Sequence, residues 1–65
     1  MKYGVKGRYL STGDEFWSCE TRPDKTYSFM HYETLDINEA YHYAAYLNTR
    51  NGRKTVSRVE EYSCS

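Results

Sequence analysis

The chain predicts a small α+β domain: a mostly antiparallel sheet of three to four strands with one helix packed on one face, in the order β-β-β-α-β over residues 1–65. Three observations carry this. Residues 2–10 alternate apolar and charged side chains, a proline turn joins two strand-forming runs, and one apolar stripe of helical period runs from Ile37 to Leu47. A single helix covering one face of an antiparallel sheet is the layer arrangement that such an order allows.

Along residues 2–10, Tyr3, Val5 and Tyr9 alternate with Lys2, Lys6 and Arg8, the mark of a strand with one wet face. Gly4 and Gly7 weaken that strand and suggest a bulge or a frayed edge. Residues 11–14 (Ser-Thr-Gly-Asp) form a turn. A second strand is expected over Glu15–Thr21, with the adjacent Phe16 and Trp17 on opposite faces and only one of them buried. Pro23 and Asp24 set up the next turn, proline by fixing φ and aspartate by tolerating the second central position. The strand Thr26–Glu33 then closes an antiparallel hairpin, with Tyr27, Phe29 and His31 alternating against Ser28, Met30 and Tyr32.

Asp36 followed three residues later by Glu39 has the spacing of a capping box. Beyond it Ile37, Ala40, Tyr41, Ala44 and Leu47 form the stripe, with Asn38, His42, Tyr46 and Asn48 away from its centre. Asn51-Gly52 is expected to end the helix through a left-handed glycine. In the last strand, Lys54–Tyr62, the valines at 56 and 59 are three apart. A bulge near Ser57-Arg58 would bring both to the core, and this strand is a candidate sheet edge.

Composition narrows the function classes. A 65-residue chain buries only about 60% of the surface its unfolded form exposes, so its margin of stability is thin. Mean hydropathy is −0.95, yet 17% of the residues are aromatic, which separates the chain from disordered sequences. Eight tyrosines suit a core too small to shield its members fully, and also a recognition surface. Net charge is zero, whereas a dedicated nucleic-acid binder of this size is strongly basic. There is neither an apolar run of membrane-spanning length nor a basic-then-apolar leader, so a cytoplasmic protein without membrane contact is expected. Cys19 and Cys64 lie far apart in sequence, and free thiols in a reducing compartment are expected of them.

Catalytic signatures do not emerge. The chain has no glycine-rich phosphate loop, no Cys-x-x-Cys and no His-Glu-x-x-His. Cys19, His31 and His42 fit no common zinc spacing, and Cys19 with a histidine lacks an orienting third group. No enzyme, no cofactor and no metal are expected. Asp36 and Glu39 belong to the helix cap, and the other acidic residues read as solvated surface. The basic residues are less evenly spread: Arg50, Arg53, Lys54 and Arg58 fall within nine positions. They either complement the helix C-terminus or form an arginine-centred contact surface.

Phe16-Trp17 opening a strand, Tyr32-Glu33-Thr34-Leu35-Asp36 leading into an alanine-bearing helix, and Val56-Ser57-Arg58-Val59 in the final strand occur in sequence. In this order and spacing the chain, over roughly residues 15–60, resembles the small early proteins with which lytic podophages inhibit bacterial RNA polymerase. The resemblance implies a compact sheet-and-helix domain that wedges between the polymerase β′ jaw and the σ region in the DNA channel and blocks open-complex formation. That family uses two arginines in its final strand and acidic character near its start. The first arginine matches Arg58; the second position is Glu60 here, a charge reversal. The expected function is therefore host takeover by a monomer that binds a bacterial protein complex. Arg58 is its central contact, supported by Arg53, Lys54, Glu20 and Trp17. A defence inhibitor that binds or mimics nucleic acid is the alternative.

Overall fold

The computed structural model describes residues 1–22, 24 and 26–62, with backbone alone at Tyr27. Pro23 and Lys25 of the expected turn, and the Cys64 thiol, lie outside the described residues. The elements are β1 (Tyr3–Tyr9), β2 (Glu15–Trp17), β3 (Cys19–Thr21), β4 (Tyr27–His31), α1 (Ile37–Asn51) and β5 (Thr55–Glu61). They make the expected small α+β fold, with antiparallel sheets of three strands (β2-β1-β5) and two (β3-β4).

The expected strand over Glu15–Thr21 is divided at Ser18, because its two halves serve different partners. The Ser18 amide donates to the Val5 carbonyl (2.8 Å), while its own carbonyl accepts from the Tyr32 amide (2.9 Å). The chain thus turns a corner from one sheet into the other with both backbone groups of Ser18 paired. Beyond the corner β3 and β4 form the expected hairpin. Asp24 accepts bonds from the amide and hydroxyl of Thr26 at 3.0 and 2.6 Å.

β1 is neither bulged nor an edge: it is the central strand. Its glycines are where aromatic rings approach the backbone. A Cβ on Gly7 would stand 2.4 Å from Phe16 Cζ, and one on Gly4 would stand 3.1 Å from both the Trp17 and Tyr62 rings. Glycine here gives up side-chain packing so that a ring can rest on the strand. Phe16 and Trp17 do take opposite faces, but each is half-buried, since each has its own glycine to cover.

The expected bulge in β5 is absent. Seven consecutive pairs, from Tyr3–Glu61 to Tyr9–Thr55, run in unbroken register. Val59 therefore packs on the core while Val56, on the other face, remains 45% exposed. An intact ladder outweighs the burial of one more valine. β5 is an edge of its sheet, as expected. The helix partly closes that edge: the Asn48 side chain accepts from the Ser57 amide (2.7 Å) and donates to the Ser57 carbonyl (3.1 Å).

Asp36 caps α1 by accepting from the Asn38 amide at 2.9 Å. Glu39 does not return to the cap residue's amide. The Thr34 hydroxyl accepts that bond (3.1 Å) and donates to Glu39 Oε2 (2.9 Å), so the box is closed through a third residue. The buried stripe is also rotated from expectation. Ala40, Ala44 and Leu47 are buried, but Ile37 and Tyr41 are exposed, and Tyr43 completes the i, i+3, i+4, i+7 set that starts at Ala40. Gly52 is right-handed (φ −60°, ψ −13°), so no left-handed glycine ends the helix. The positive-φ glycine is Gly13 (φ 80°), in the turn after β1.

The core is small: Val5, Ala44 and Leu47, with Tyr32, Tyr43 and Val59 packed against them. The Tyr43 ring stacks on Tyr32 at 4.1 Å. Its hydroxyl donates to the Cys19 carbonyl at 2.5 Å and bonds the Thr21 hydroxyl at 2.9 Å, tying the helix to the second hairpin. The Cys19 thiol is free. No helix among the described residues is long and apolar enough to cross a membrane.

Two predictions follow from this packing. Gly7→Ala drives a methyl into the Phe16 ring and destabilises the domain by about 1–3 kcal/mol, a fall in melting temperature of roughly 4–8 °C per kcal/mol. A thermal melt unchanged from wild type would mean that Phe16 does not rest on Gly7.

The second concerns Tyr32, whose hydroxyl is buried without a hydrogen-bond partner among the described residues. Burial, reinforced by the nearby Glu39 carboxylate, pushes its pKa up to about 12. An unfolded tyrosine ionises near pH 10, so the protonated ring stabilises the fold fully below pH 10, and this contribution is lost as pH rises toward about 12. Tyr32→Phe is expected to move the alkaline unfolding midpoint to higher pH, as followed by circular dichroism, and to cost little at neutral pH. An unmoved midpoint would assign alkaline unfolding to other groups.

Candidate functional site

Alternation along the sheet sorts the side chains into two faces. Val5, Ser57 and Val59 turn toward α1, so their neighbours Gly4, Lys6, Arg8, Arg58 and Glu60 turn away, together with Glu15 and Trp17 of β2. Register places Trp17, Lys6 and Arg58 on one rung across the three strands, with Glu15, Arg8 and Val56 on the next. The helix leaves this face uncovered.

The side chains on it hold one another. Lys6 Nζ sits 4.9 Å from the Trp17 ring centroid and 3.5 Å from Glu60 Oε2. Arg58 donates to Glu15 Oε2 through Nη2 and to Glu60 Oε1 through Nε (3.2 Å) and Nη2 (3.1 Å). The guanidinium hydrogen bond holds the Glu15 carboxyl below its ordinary range, with Lys6 and Arg8 adding to the effect, and the two carboxylates raise Arg58 in turn. Trp17 meets Tyr62 edge-on at 4.9 Å. The Tyr62 hydroxyl is 3.2 Å from His31 Nδ1, so the aromatic row continues to a shallow depression lined by Lys2, Glu20, Met30, His31 and Glu33. The result is a half-exposed patch of rings and charges of both signs, preset by contacts within the sheet.

The residues predicted to form the site are only partly brought together. Trp17 and Arg58 share a rung, and Glu20 lies at the far end of the same surface, where it accepts from the Ser28 hydroxyl at 3.1 Å. Arg53 and Lys54 sit on the exposed turn between α1 and β5, and Lys54 lines a cleft on the helix side. Arg50 stays on the helix, donating to the Tyr46 hydroxyl at 2.8 Å. The cluster in sequence is therefore not a cluster in space.

Sequence reasoning missed Lys6, Tyr62 and His31 as members of the surface. The alternation already put Lys6 on the wet face; what was missing was the strand pairing that sets it between Trp17 and Arg58. Phe29 and Met30, 96% and 67% exposed on β4, are apolar groups left in water that alternation alone does not single out. Ser28 takes the buried position instead, and its hydroxyl accepts from the Met30 amide at 2.9 Å.

Cys19 and His31 lie opposite each other in the β3-β4 ladder, while His42 is exposed on the helix. Among the described residues no three His, Cys, Asp or Glu side chains converge as a metal site would require. Comparison with protein-family models, with characterised proteins and with solved structures gives no match to this chain.

If Arg58 is what lowers Glu15, then Arg58→Ala will move the Glu15 titration upward toward the ordinary carboxyl value in an NMR pH series. Because these groups are exposed, the fold is expected to persist with a nearly unchanged melt. A Glu15 titration indifferent to the substitution would dissolve the proposed charge network.

Proposed function

We propose that this chain is a binding protein of the phage host-takeover kind, which docks its uncovered sheet face on a bacterial protein machine and inhibits it, with RNA polymerase the first candidate. The observation that carries this reading is the Trp17–Lys6–Arg58 rung, extended by Tyr62 and His31, on the sheet face that the helix leaves uncovered. Tryptophan, tyrosine and arginine are the residues that dominate interface energetics, and here they are prearranged, so that less side-chain freedom is lost on docking. The 96% exposed Phe29 offers a further apolar anchor on the second hairpin.

Charge favours a protein partner. A phosphate-binding face presents uncompensated cations. Here Lys6 and Arg58 are already paired with Glu15 and Glu60, and Lys2 with Glu33. Such a mixed surface suits a partner that offers both signs, as protein interfaces do.

The resemblance to polymerase inhibitors supports the choice of first candidate, and it implies a contact role for Arg58. The departure at Glu60 has a local use: that carboxylate holds Arg58 and Lys6 in place. We assign the contact to Arg58 and Trp17, with Glu20 at the periphery, and leave Arg53 and Lys54 outside it. A binding role, with no bond made or broken, is all that this surface requires.

The test is transcription from a bacterial promoter with purified polymerase. Wild type should inhibit. Trp17→Ala and Arg58→Ala should each weaken inhibition at least tenfold, while Arg53→Glu should inhibit like wild type. Undiminished transcription at saturating wild-type protein would rule out the polymerase. Loss of inhibition in Arg53→Glu alone would move the contact to the helix end.

A further inference from the structure

Beside the proposed contact, and sharing Trp17 with it, lies a second feature. Between the C-terminal half of α1 and the helix side of the sheet lies a cleft of about 320 Å³. Its walls are largely apolar, with the rings of Tyr9 and Phe16 set 4.8 Å apart and tilted by 39°, and Leu47 of α1 across from them. Phe16 reaches the cleft wall with the tip of its ring resting on Gly7. The volume lies at the lower end of the range of small-molecule pockets.

Charge narrows the ligand class. Among the described residues, Lys54 is the one permanently charged residue lining the cleft, no carboxylate lines it, and Lys54 has no ion-pair partner. The last helical carbonyl, which would repel an anion, is occupied: Asn51 O accepts from the Lys54 amide at 2.9 Å. The edge groups of Ser57 are likewise taken by Asn48. What remains is an apolar, ring-walled space with a single cation at its border. An amine would meet a like charge there and a polar neutral molecule would find few free partners, whereas a flat apolar body with one carboxylate satisfies both.

We propose that this cleft is a binding site for a small aromatic carboxylate, its ring system against Tyr9, Phe16 and Leu47 and its carboxylate on Lys54. The cleft shares Trp17 with the docking face, but its ligand contacts are made by other residues and its test does not depend on docking.

The probe is 2-naphthoate, titrated calorimetrically into the full chain carrying Cys64→Ser, with alkylation of Cys19, which also lines the cleft, as a second readout. Binding at one equivalent with a Kd of about 1 mM or tighter is expected, together with at least threefold slower alkylation of Cys19 at saturation. The neutral 2-naphthylmethanol should bind at least fivefold more weakly. Lys54→Glu should erase the preference for the anion, whereas Arg53→Glu, an equal charge change on the neighbouring residue, should retain it. Absence of both heat and thiol protection at several millimolar would overturn the site. Equal binding of the alcohol, or of naphthoate to Lys54→Glu, would overturn the carboxylate assignment.

Discussion

At two positions of its central strand this domain has backbone where a larger protein would have side chains, and aromatic rings rest on that backbone instead. Phe16 covers Gly7 on the helix side, and Trp17 with Tyr62 covers Gly4 on the other. A chain of 65 residues has little apolar volume to spend: among the described residues the buried aliphatic ones are Val5, Ala40, Ala44 and Leu47. Laying rings on a strand gives each of them a wide contact without requiring full burial, which suits a core that cannot enclose them. Both surface features of the molecule descend from that arrangement. Trp17 on Gly4 becomes the centre of the uncovered face, and Phe16 on Gly7 forms a wall of the cleft beside Lys54.

The abundance of tyrosine has the same origin. Tyr43 stacks on Tyr32 in the core and reaches past it to the Cys19 carbonyl, so one side chain supplies both packing and the polar link from helix to second hairpin. Tyr62 does the equivalent outside, touching Trp17 with its ring and His31 with its hydroxyl. Tyr32 shows the limit of the device, since its hydroxyl is buried with no hydrogen-bond partner among the described residues and with the Glu39 carboxylate near it. Amphipathic rings thus connect the parts of this fold, where a larger protein would use leucine and isoleucine together with separate polar residues.

Local patterns in the chain foretold the elements and the fold class, because alternation, proline turns and caps act over a few residues. They failed where long-range pairing decides. The corner at Ser18 is invisible in a run of good strand formers, since it exists only because β1 and β4 claim opposite sides of that residue. Gly4 and Gly7 read as weakness until the rings that cover them are known. The helix stripe was placed one step off, because Ile37 and Tyr41 match the period as well as Tyr43 does, and only the position of Tyr32 separates them. Of the site, Trp17 and Arg58 could be picked out by residue type. That they share a rung with Lys6, and that Arg53 and Lys54 do not belong with them, depends on register and on where the helix ends.

The uncovered face combines preset charges with rings that are half in water, a combination suited to recognition by a protein surface. Hydroxyl-radical footprinting of the chain, free and mixed with bacterial RNA polymerase, examines that face most directly. Binding through it requires that Trp17 and Tyr62 become protected in the mixture while Tyr41 and Tyr46, exposed on the helix, keep their reactivity. Protection of the helix tyrosines with Trp17 and Tyr62 unchanged, or no protection anywhere, would contradict it.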